Sequence, residues 1–368
     1  MKTETKFIRQ IQKLSEDEKF QKRHIRNAEK DFKRTRKLKF SDVIMYSIGN
    51  TKSSLELEAE KFSKYIEATS VSGAALCKAR QKVKYTAFEE LFETTAVSSP
   101  REKRFHGYHL YAVDGMKGEL PKTPELSEKY RISPQSEQPV FHAVSVYDVL
   151  NELFLRSEFH FGAADERELA GKMIDSLMQD EAYKEEAQIW LFDRGFPSFR
   201  LIYQLLEQKK KFVMRVSSNF LKEVNEFRKS KYVDRQISII CTKQRIRSEQ
   251  IQCEENTELN LRCVRIQLSS GAEEILITNL ERTEFPKRDL KKLYSLRWGI
   301  ETSFNYLKNA VFVEEFTSKT ENGLAQEYFV SLLMYNFSTC MFGSMQKDIP
   351  KKKVQIQDKP ADRLKIDL

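Results

Sequence analysis

Three acidic residues stand where packing gives no reason for a charge. Asp114 closes the apolar run "YHLYAV" and is followed by Gly115; Asp193 closes "IWLF" and is followed by Arg194 and Gly195. An ionised carboxylate is costly to bury unpaired, so an aspartate at the end of a buried strand asks for a partner. Two such strand ends in one sheet lie near each other. The third acid, Glu301, belongs to "YSLRWGIETSFNYLK" (294–308), which reads as one helix. At about 100° per residue, Arg297, Glu301 and Lys308 fall within roughly 60° of Tyr294 and make one polar stripe. Leu293, Leu296, Ile300, Phe304 and Leu307 make an apolar stripe beside it. The competing reading is an Arg297–Glu301 surface ion pair worth about 0.2–0.5 kcal/mol. Against it, Tyr294 and Trp298 lie on or beside the polar stripe, which borders the core face instead of opposing it.

Two strand-end aspartates and one helical glutamate supply three oxygen ligands, a set suited to Mg²⁺, with Mn²⁺ able to substitute. Two such ions roughly 3.5–4 Å apart would activate a hydroxyl nucleophile and stabilise the leaving oxygen of an in-line phosphoryl displacement. No protein nucleophile is then needed, and no Ser/His/Asp or reactive-Cys arrangement is visible. The five cysteines (Cys77, Cys241, Cys253, Cys263, Cys340) include no C-x-x-C pair and read as ordinary buried thiols. His106 and His109 have no further ligand in step with them and read as strand-edge or surface residues.

The elements that must position the acids follow from periodicity. "SDVIMYSIGN", "SSLELEAEKFSKYI", "SGAALCKARQKV" and "TAFEELFETT" read as short helices of an N-terminal unit. In the third, Ser72 is placed as N-cap and Ala75, Leu76 and Ala79 face inward. Lys78, Arg80, Lys82 and Lys84 make it basic, which suits a helix laid on DNA as well as a merely solvated face. From residue 107 the period changes. "GYHLYAVDG", "VFHAVSVYDVL" and "ELFLRSEFHF" read as meander strands, followed by helix "DERELAGKMIDSLMQ", strand "AQIWLFDRG", helix "SFRLIYQLLEQ" and strand "KKFVMRVS". The result is a mixed α/β sheet with packed helices. "YVDRQISIICT", "LRCVRIQLS" and "EEILITNL" form a β-strand insertion, after which come the 294–308 helix and a long apolar helix, "GLAQEYFVSLLMYNFSTCMFG". Asp148 is expected in a hairpin turn, and Asp165 with Glu168 in a capping box.

Of 368 residues, 40% are hydrophobic, enough for more than one core, and the net charge is +9. Residues 1–40 hold 14 Lys/Arg against 6 Asp/Glu. A basic end on a nearly balanced body points to a polyanion, most simply nucleic acid. The charged N-terminus reads against a secretory signal, and no run reaches the roughly 18 apolar residues of a membrane span, so the expected location is cytoplasmic, on the nucleoid through DNA.

With these residues in place, the chain resembles the bacterial DDE transposases of the insertion sequence 4 type. Their signature, Y-x2-R-x3-E-x6-K, stands complete as Tyr294, Arg297, Glu301 and Lys308. "AVDGMKGELP" and "FDRGFPSFRLI" resemble the family's two aspartate motifs, "ITNL" precedes the helix as it does there, and "SGAALCKARQKVKYTAFEELF" is similar near the N-terminus; the likeness covers about residues 40–340. The resemblance implies a ribonuclease-H-like catalytic core with Asp114, Asp193 and Glu301 as a metal-binding triad. It implies that Tyr294, Arg297 and Lys308 hold phosphates of the transposon end. Trp298 either stacks on an unpaired base or is a core-edge residue, and Arg194, Lys78 and Arg80 complete the set expected to face DNA. The implied organisation is a basic helical DNA-binding domain over 1–105, a core over 106–215 and 285–345, the β-strand insertion over 216–284, and a polar tail over 346–368. The implied activity is cleavage at the inverted-repeat ends of an insertion sequence and transfer of the 3′-hydroxyls to target DNA, by a homodimer in a synaptic complex. Two further readings share the fold: a silent or truncated DNA-binding remnant, for which only 60 residues after Lys308 argue mildly, and a nuclease that cuts without joining.

Overall fold

Among the described residues six helices precede the first strand: α1 (Thr3–Glu16), α2 (Glu18–His24), α3 (Phe40–Gly49), α4 (Leu55–Tyr65), α5 (Gly73–Arg80) and α6 (Thr86–Ser98). The computed structural model describes residues 3–33, 38–50, 52–66, 71–133, 135–217, 220–267, 271–309 and 315–348. Most of the expected polar tail therefore lies outside the described residues. Ser72 caps α5 as expected, its hydroxyl accepting from the Ala75 N–H. Leu76 and Ala79 turn inward, but Ala75 and Cys77 face solvent. Within the basic end read from sequence over residues 1–40, Thr3–Glu16 and Glu18–His24 form α1 and α2. Phe7, Ile11 and Phe20 recur on one side of these helices and enter the core.

The remaining chain forms β1 (His109–Glu119), α7 (Pro124–Tyr130), β2 (Val140–Asp148), β3 (Leu153–Phe161), α8 (Glu166–Gln179), α9 (Glu181–Lys184), β4 (Gln188–Phe192), α10 (Phe199–Glu207) and β5 (Lys211–Arg215). Then come α11 (Lys222–Lys229), β6 (Asp234–Ile240), α12 (Lys243–Glu249), β7 (Glu258–Gln267), β8 (Glu273–Thr278), α13 (Lys287–Leu296), α14 (Trp298–Asn309) and α15 (Glu321–Asp348). All eight strands make one sheet in the order β3-β2-β1-β4-β5-β8-β7-β6. β1, β4 and β5 are parallel, and the other pairings are antiparallel. The strands read as an insertion thus continue the main sheet through the β5–β8 ladder, where Val213 pairs with Thr278.

Both faces of the sheet are covered. One carries α1–α3, α5, α6 and α13–α15, with Phe88, Phe92, Tyr328 and Leu332 packed on Leu110, Ala112 and Leu191. The other carries α8, α10 and α11 over Tyr111, Trp190 and Phe212. Polar groups fix the layers where apolar contact alone would let them slide. Asn336 of α15 accepts from the Phe154 N–H at 2.9 Å and donates to its carbonyl at 2.8 Å, so it occupies the open edge of β3 like a short strand. Asp148 accepts from the Asn151 N–H at 3.2 Å, the turn role expected of it, and also pairs with His109 Nδ1 at 3.1 Å. His109 is accordingly buried, not at a surface. Asp165 caps α8, but Glu168 pairs with Lys172 at 2.7 Å, so the reciprocal half of the expected capping box is replaced by an i,i+4 ion pair. The cysteines are all unpaired; Cys241 and Cys263 are buried, whereas Cys77 is exposed.

Candidate active site

Strand alternation decides which acids meet. On β1, Leu110, Ala112 and Met116 face the α13–α15 layer, and Tyr111 and Val113 face the other. Asp114 shares the parity of Leu110 and Met116, so it projects toward α13–α15. By the same count Ile189 and Leu191 bring Asp193 to that side, Val213 brings Arg215 and Leu276 brings Glu274. β1 and β4 run parallel with Val113 beside Phe192, so one further step sets Asp114 beside Asp193. Asp114 is not the strand end it was expected to be. β1 continues to Glu119 because β2 pairs with it throughout, with Ser145 opposite Asp114. It is β4 that stops, and the flank of Asp114 opens there.

Glu301 comes from the facing helix, and the expected single helix over 294–308 is two. Arg297 follows α13, its N–H bonding the Tyr294 carbonyl at 3.1 Å, and Ile300 N–H bonds the Arg297 carbonyl at 3.1 Å. These i→i+3 bonds tighten the turn, and α14 starts afresh at Trp298. Gly299 permits the new direction: a Cβ there would stand 3.1 Å from Val149 Cγ1, so α14 lies close on the end of β2. Ser303 then holds α14 by hydrogen bonds to the Tyr147 hydroxyl at 2.7 Å and the Tyr335 hydroxyl at 2.8 Å.

Arg297 is the hub of the site. It is only 2% exposed, and its guanidinium ion-pairs with Glu301, with Asp114 Oδ2 at 3.4 Å and with Asp193 Oδ1 at 3.9 Å. Asp193 has a second cation: Arg215 Nη2 stands 2.6 Å from Oδ1, while Arg215 Nη1 reaches Glu274 at 3.0 Å. The Tyr294 hydroxyl donates to Asp193 Oδ1 at 3.3 Å. The two aspartates therefore differ electrostatically. Burial pushes the Asp114 carboxyl up to about 6, only partly offset by Arg297 and the Gly115 N–H. Burial acts on Asp193 too, but Arg297, the Arg194 N–H and Arg215 outweigh it and hold that carboxyl below its ordinary range.

The other residues expected to face DNA divide. Arg194 and Lys78 are exposed. Trp298 is 61% exposed, which removes the core-edge reading, and its ring lies 5.6 Å from the Arg297 guanidinium carbon. Lys308 reaches from α14 across to β1, donating to the Lys117 carbonyl at 2.8 Å. Tyr294 and Arg297 are buried against the acids, so the polar stripe is not a solvated one. Arg80 is engaged internally: it pairs with Glu327 at 2.8 Å and bonds Gln326 and the Gly323 carbonyl, fastening α5 to the start of α15. Arg215 and Glu274 were missed by sequence reasoning, although Arg215, closing the apolar run "FVM" of a strand as Asp193 closes "IWLF", carried the same signal.

The donor set suits a hard divalent cation: three carboxylate oxygens groups, no sulfur and no imidazole. Among the described residues no three His, Cys, Asp or Glu side chains form a ready metal cage. In the triad, Glu301 and Asp114 are turned to Arg297 and Asp193 to Arg215 instead.

A mixed sheet carrying two acids on adjacent parallel strands and a third on the helix packed over them defines a ribonuclease-H-like fold. A solved structure of the piggyBac transposase synaptic complex with hairpin DNA shares that fold at a TM-score of 0.50 and 14% identity, over 94% of this chain and 77% of that one. The chain belongs to the transposase DDE domain family, whose model matches residues 105–337. Among curated relatives, the putative transposase InsZ of Escherichia coli (strain K12) is 28% identical over 141 residues, 36% of this chain and 45% of that protein. Transposase InsG for insertion sequence element IS4, from the same strain, is 22% identical over 277 residues, 72% of this chain and 60% of that protein. The chain thus spans about half of the length of these relatives, and the likeness to the insertion sequence 4 type agrees with them. DDE transposases generally use a divalent metal. Among the described residues no helix is long and apolar enough to cross a membrane.

Proposed function

We propose that this chain is a DNA transposase. It binds the inverted-repeat ends of an insertion sequence, nicks the DNA there and joins the resulting 3′-hydroxyls to target DNA, in the cytoplasm on the nucleoid. The observation that carries this reading is the gathering of Asp114, Asp193 and Glu301 around Arg297 on one side of the sheet. These three carboxylates would hold Mg²⁺, as two ions, with Mn²⁺ able to substitute. When bound, the metal supplies an activated hydroxyl nucleophile and a counter-charge for the leaving oxygen. The chain's own residues do the rest. Arg215 and Tyr294 fix the rotamer of Asp193, and Ser303 with Tyr147 and Tyr335 fixes the roll of α14 that aims Glu301. Lys308, Arg194 and exposed Trp298 surround the acids and meet backbone phosphates and an unpaired base. Lys78 and the basic helices of residues 1–105 hold DNA away from the cut, while residues 106–215 and 285–345 act as the catalytic core with 216–284 as its insertion. Two copies pair to bring two ends together.

Incubating the purified protein with Mg²⁺ and a duplex bearing the element's terminal repeats is expected to give nicked and joined products, both lost on chelation. Nicking that persists in EDTA, or no nicking in any divalent metal, contradicts the proposal.

A further inference from the structure

Arg297 occupies the place where a metal would have to bind. Mg²⁺ draws its oxygen ligands to about 2.0–2.1 Å, and a guanidinium bonded to Glu301 and standing 3.4 and 3.9 Å from Asp114 and Asp193 obstructs that convergence. The arrangement is also incomplete as a permanent structure. Arg297 has one close partner, Glu301, while its Nε is buried without a hydrogen-bond partner and its contacts to Asp114 and Asp193 are long at 3.4 and 3.9 Å. By contrast Arg262, a structural arginine of equal burial, meets Asp234 at 2.9 and 2.7 Å and the Phe285 carbonyl at 2.7 Å. Arg297 sits at the turn between α13 and α14, and its guanidinium carbon lies 5.6 Å from the exposed Trp298 ring and 5.8 Å from that of Tyr294. A short way out, along an aromatic surface that stabilises a cation, is built beside it.

We propose that Arg297 is a resident counterion that keeps the three carboxylates together in the metal-free protein and is displaced by the metal, moving out beside Trp298 to a DNA phosphate. The proposal rests on the triad being the metal site. Asp193 does not lose all compensation in the exchange, because Arg215 stays on it from the Glu274 side. The guanidinium fork that now spans carboxylates matches a phosphate equally well. Metal and DNA then load together: each removes a reason for Arg297 to stay, and reciprocity requires that each tighten the other.

Mn²⁺ binding to the full chain, followed by electron paramagnetic resonance of the free ion, tests this without turnover. Arg297→Gln is expected to bind Mn²⁺ at least about tenfold more tightly than wild type in the absence of DNA. Duplex DNA carrying the terminal repeats is expected to tighten Mn²⁺ binding by wild type by a similar factor, but to leave the variant nearly unchanged. Should Arg297→Gln fold poorly, Arg297→Lys, which keeps a charge but can meet fewer carboxylates at once, is expected to fall between the two. Equal or weaker Mn²⁺ binding by the Arg297 variants, with Asp114→Asn still reducing binding in every background, overturns the counterion role and leaves the metal site standing. Mn²⁺ binding that Asp114→Asn does not touch overturns both.

Discussion

Glu301→Gln is expected to lower DNA nicking and joining by about a thousandfold or more while end binding, measured in EDTA, stays within about twofold of wild type. The substitution keeps the shape of the side chain and its place on α14, but it removes one of three negative charges from the ligand set. Charge stabilisation worth several kcal/mol is thereby lost from the reacting centre, and each 1.36 kcal/mol is a factor of ten in rate. Binding is spared because Lys308, Arg194 and Lys78, three of the positions proposed to hold phosphate, do not contact Glu301, and Arg297, which does, keeps its charge. The chemistry is read by gel analysis of nicked and joined products, and the binding by mobility shift. Unchanged strand transfer in the variant rules out Glu301 as a ligand. Loss of end binding in parallel with cleavage makes it a structural residue.

Arg262→Ala is expected to destabilise the protein by about 3–5 kcal/mol, the cost of leaving one half of a buried ion pair without its partner. Arg262 lies on β7 at 1% exposure and holds Asp234 of β6 bidentately through Nε and Nη2 while Nη1 donates to the Phe285 carbonyl. Removal strands a carboxylate, whose other cation is the exposed Arg282 at 3.0 Å, and a buried carbonyl. Arg262→Lys is expected to recover less than half of the loss, because an ammonium cannot make the parallel pair of bonds. The consequence extends to the site. Phe285 leads directly into α13, whose Tyr294 donates to Asp193, so Arg262 links the outer strands of the sheet to the α13–α14 pair. Urea unfolding followed by circular dichroism measures the effect; a loss below about 1 kcal/mol shows that this link is dispensable.

The parts of the site legible in the sequence were those written in local pattern. Asp114 and Asp193 were visible because each interrupts an apolar strand, where a charge has no packing role, and Glu301 because helical spacing set it beside Arg297. Most strands and helices were visible for the same reason, a period of two or of 3.6 sustained over several residues. What was not legible depended on partners distant along the chain. Nothing within "FVMR" says that Arg215 will reach across to Glu274, because the β5–β8 pairing joins residues 59 apart in the chain. The break at Arg297 goes with the close approach of Gly299 to Val149, a contact between segments about 150 residues apart. Arg80 looked like a DNA-facing cation because its helix is basic, yet the start of α15 offers it a carboxylate and two further acceptors. Arg297 is the sharpest case: spacing placed it correctly beside Glu301, but only the sheet below reveals that it is enclosed by acids.

The central claim, that Asp114, Asp193 and Glu301 form one divalent-metal centre, is tested most directly by locating the metal. In crystals of the protein bound to its end DNA and soaked with Mn²⁺, anomalous scattering is predicted to peak between these three carboxylates, with Arg297 withdrawn toward phosphate. A peak at other side chains, or none at Mn²⁺ concentrations that support cleavage, contradicts it.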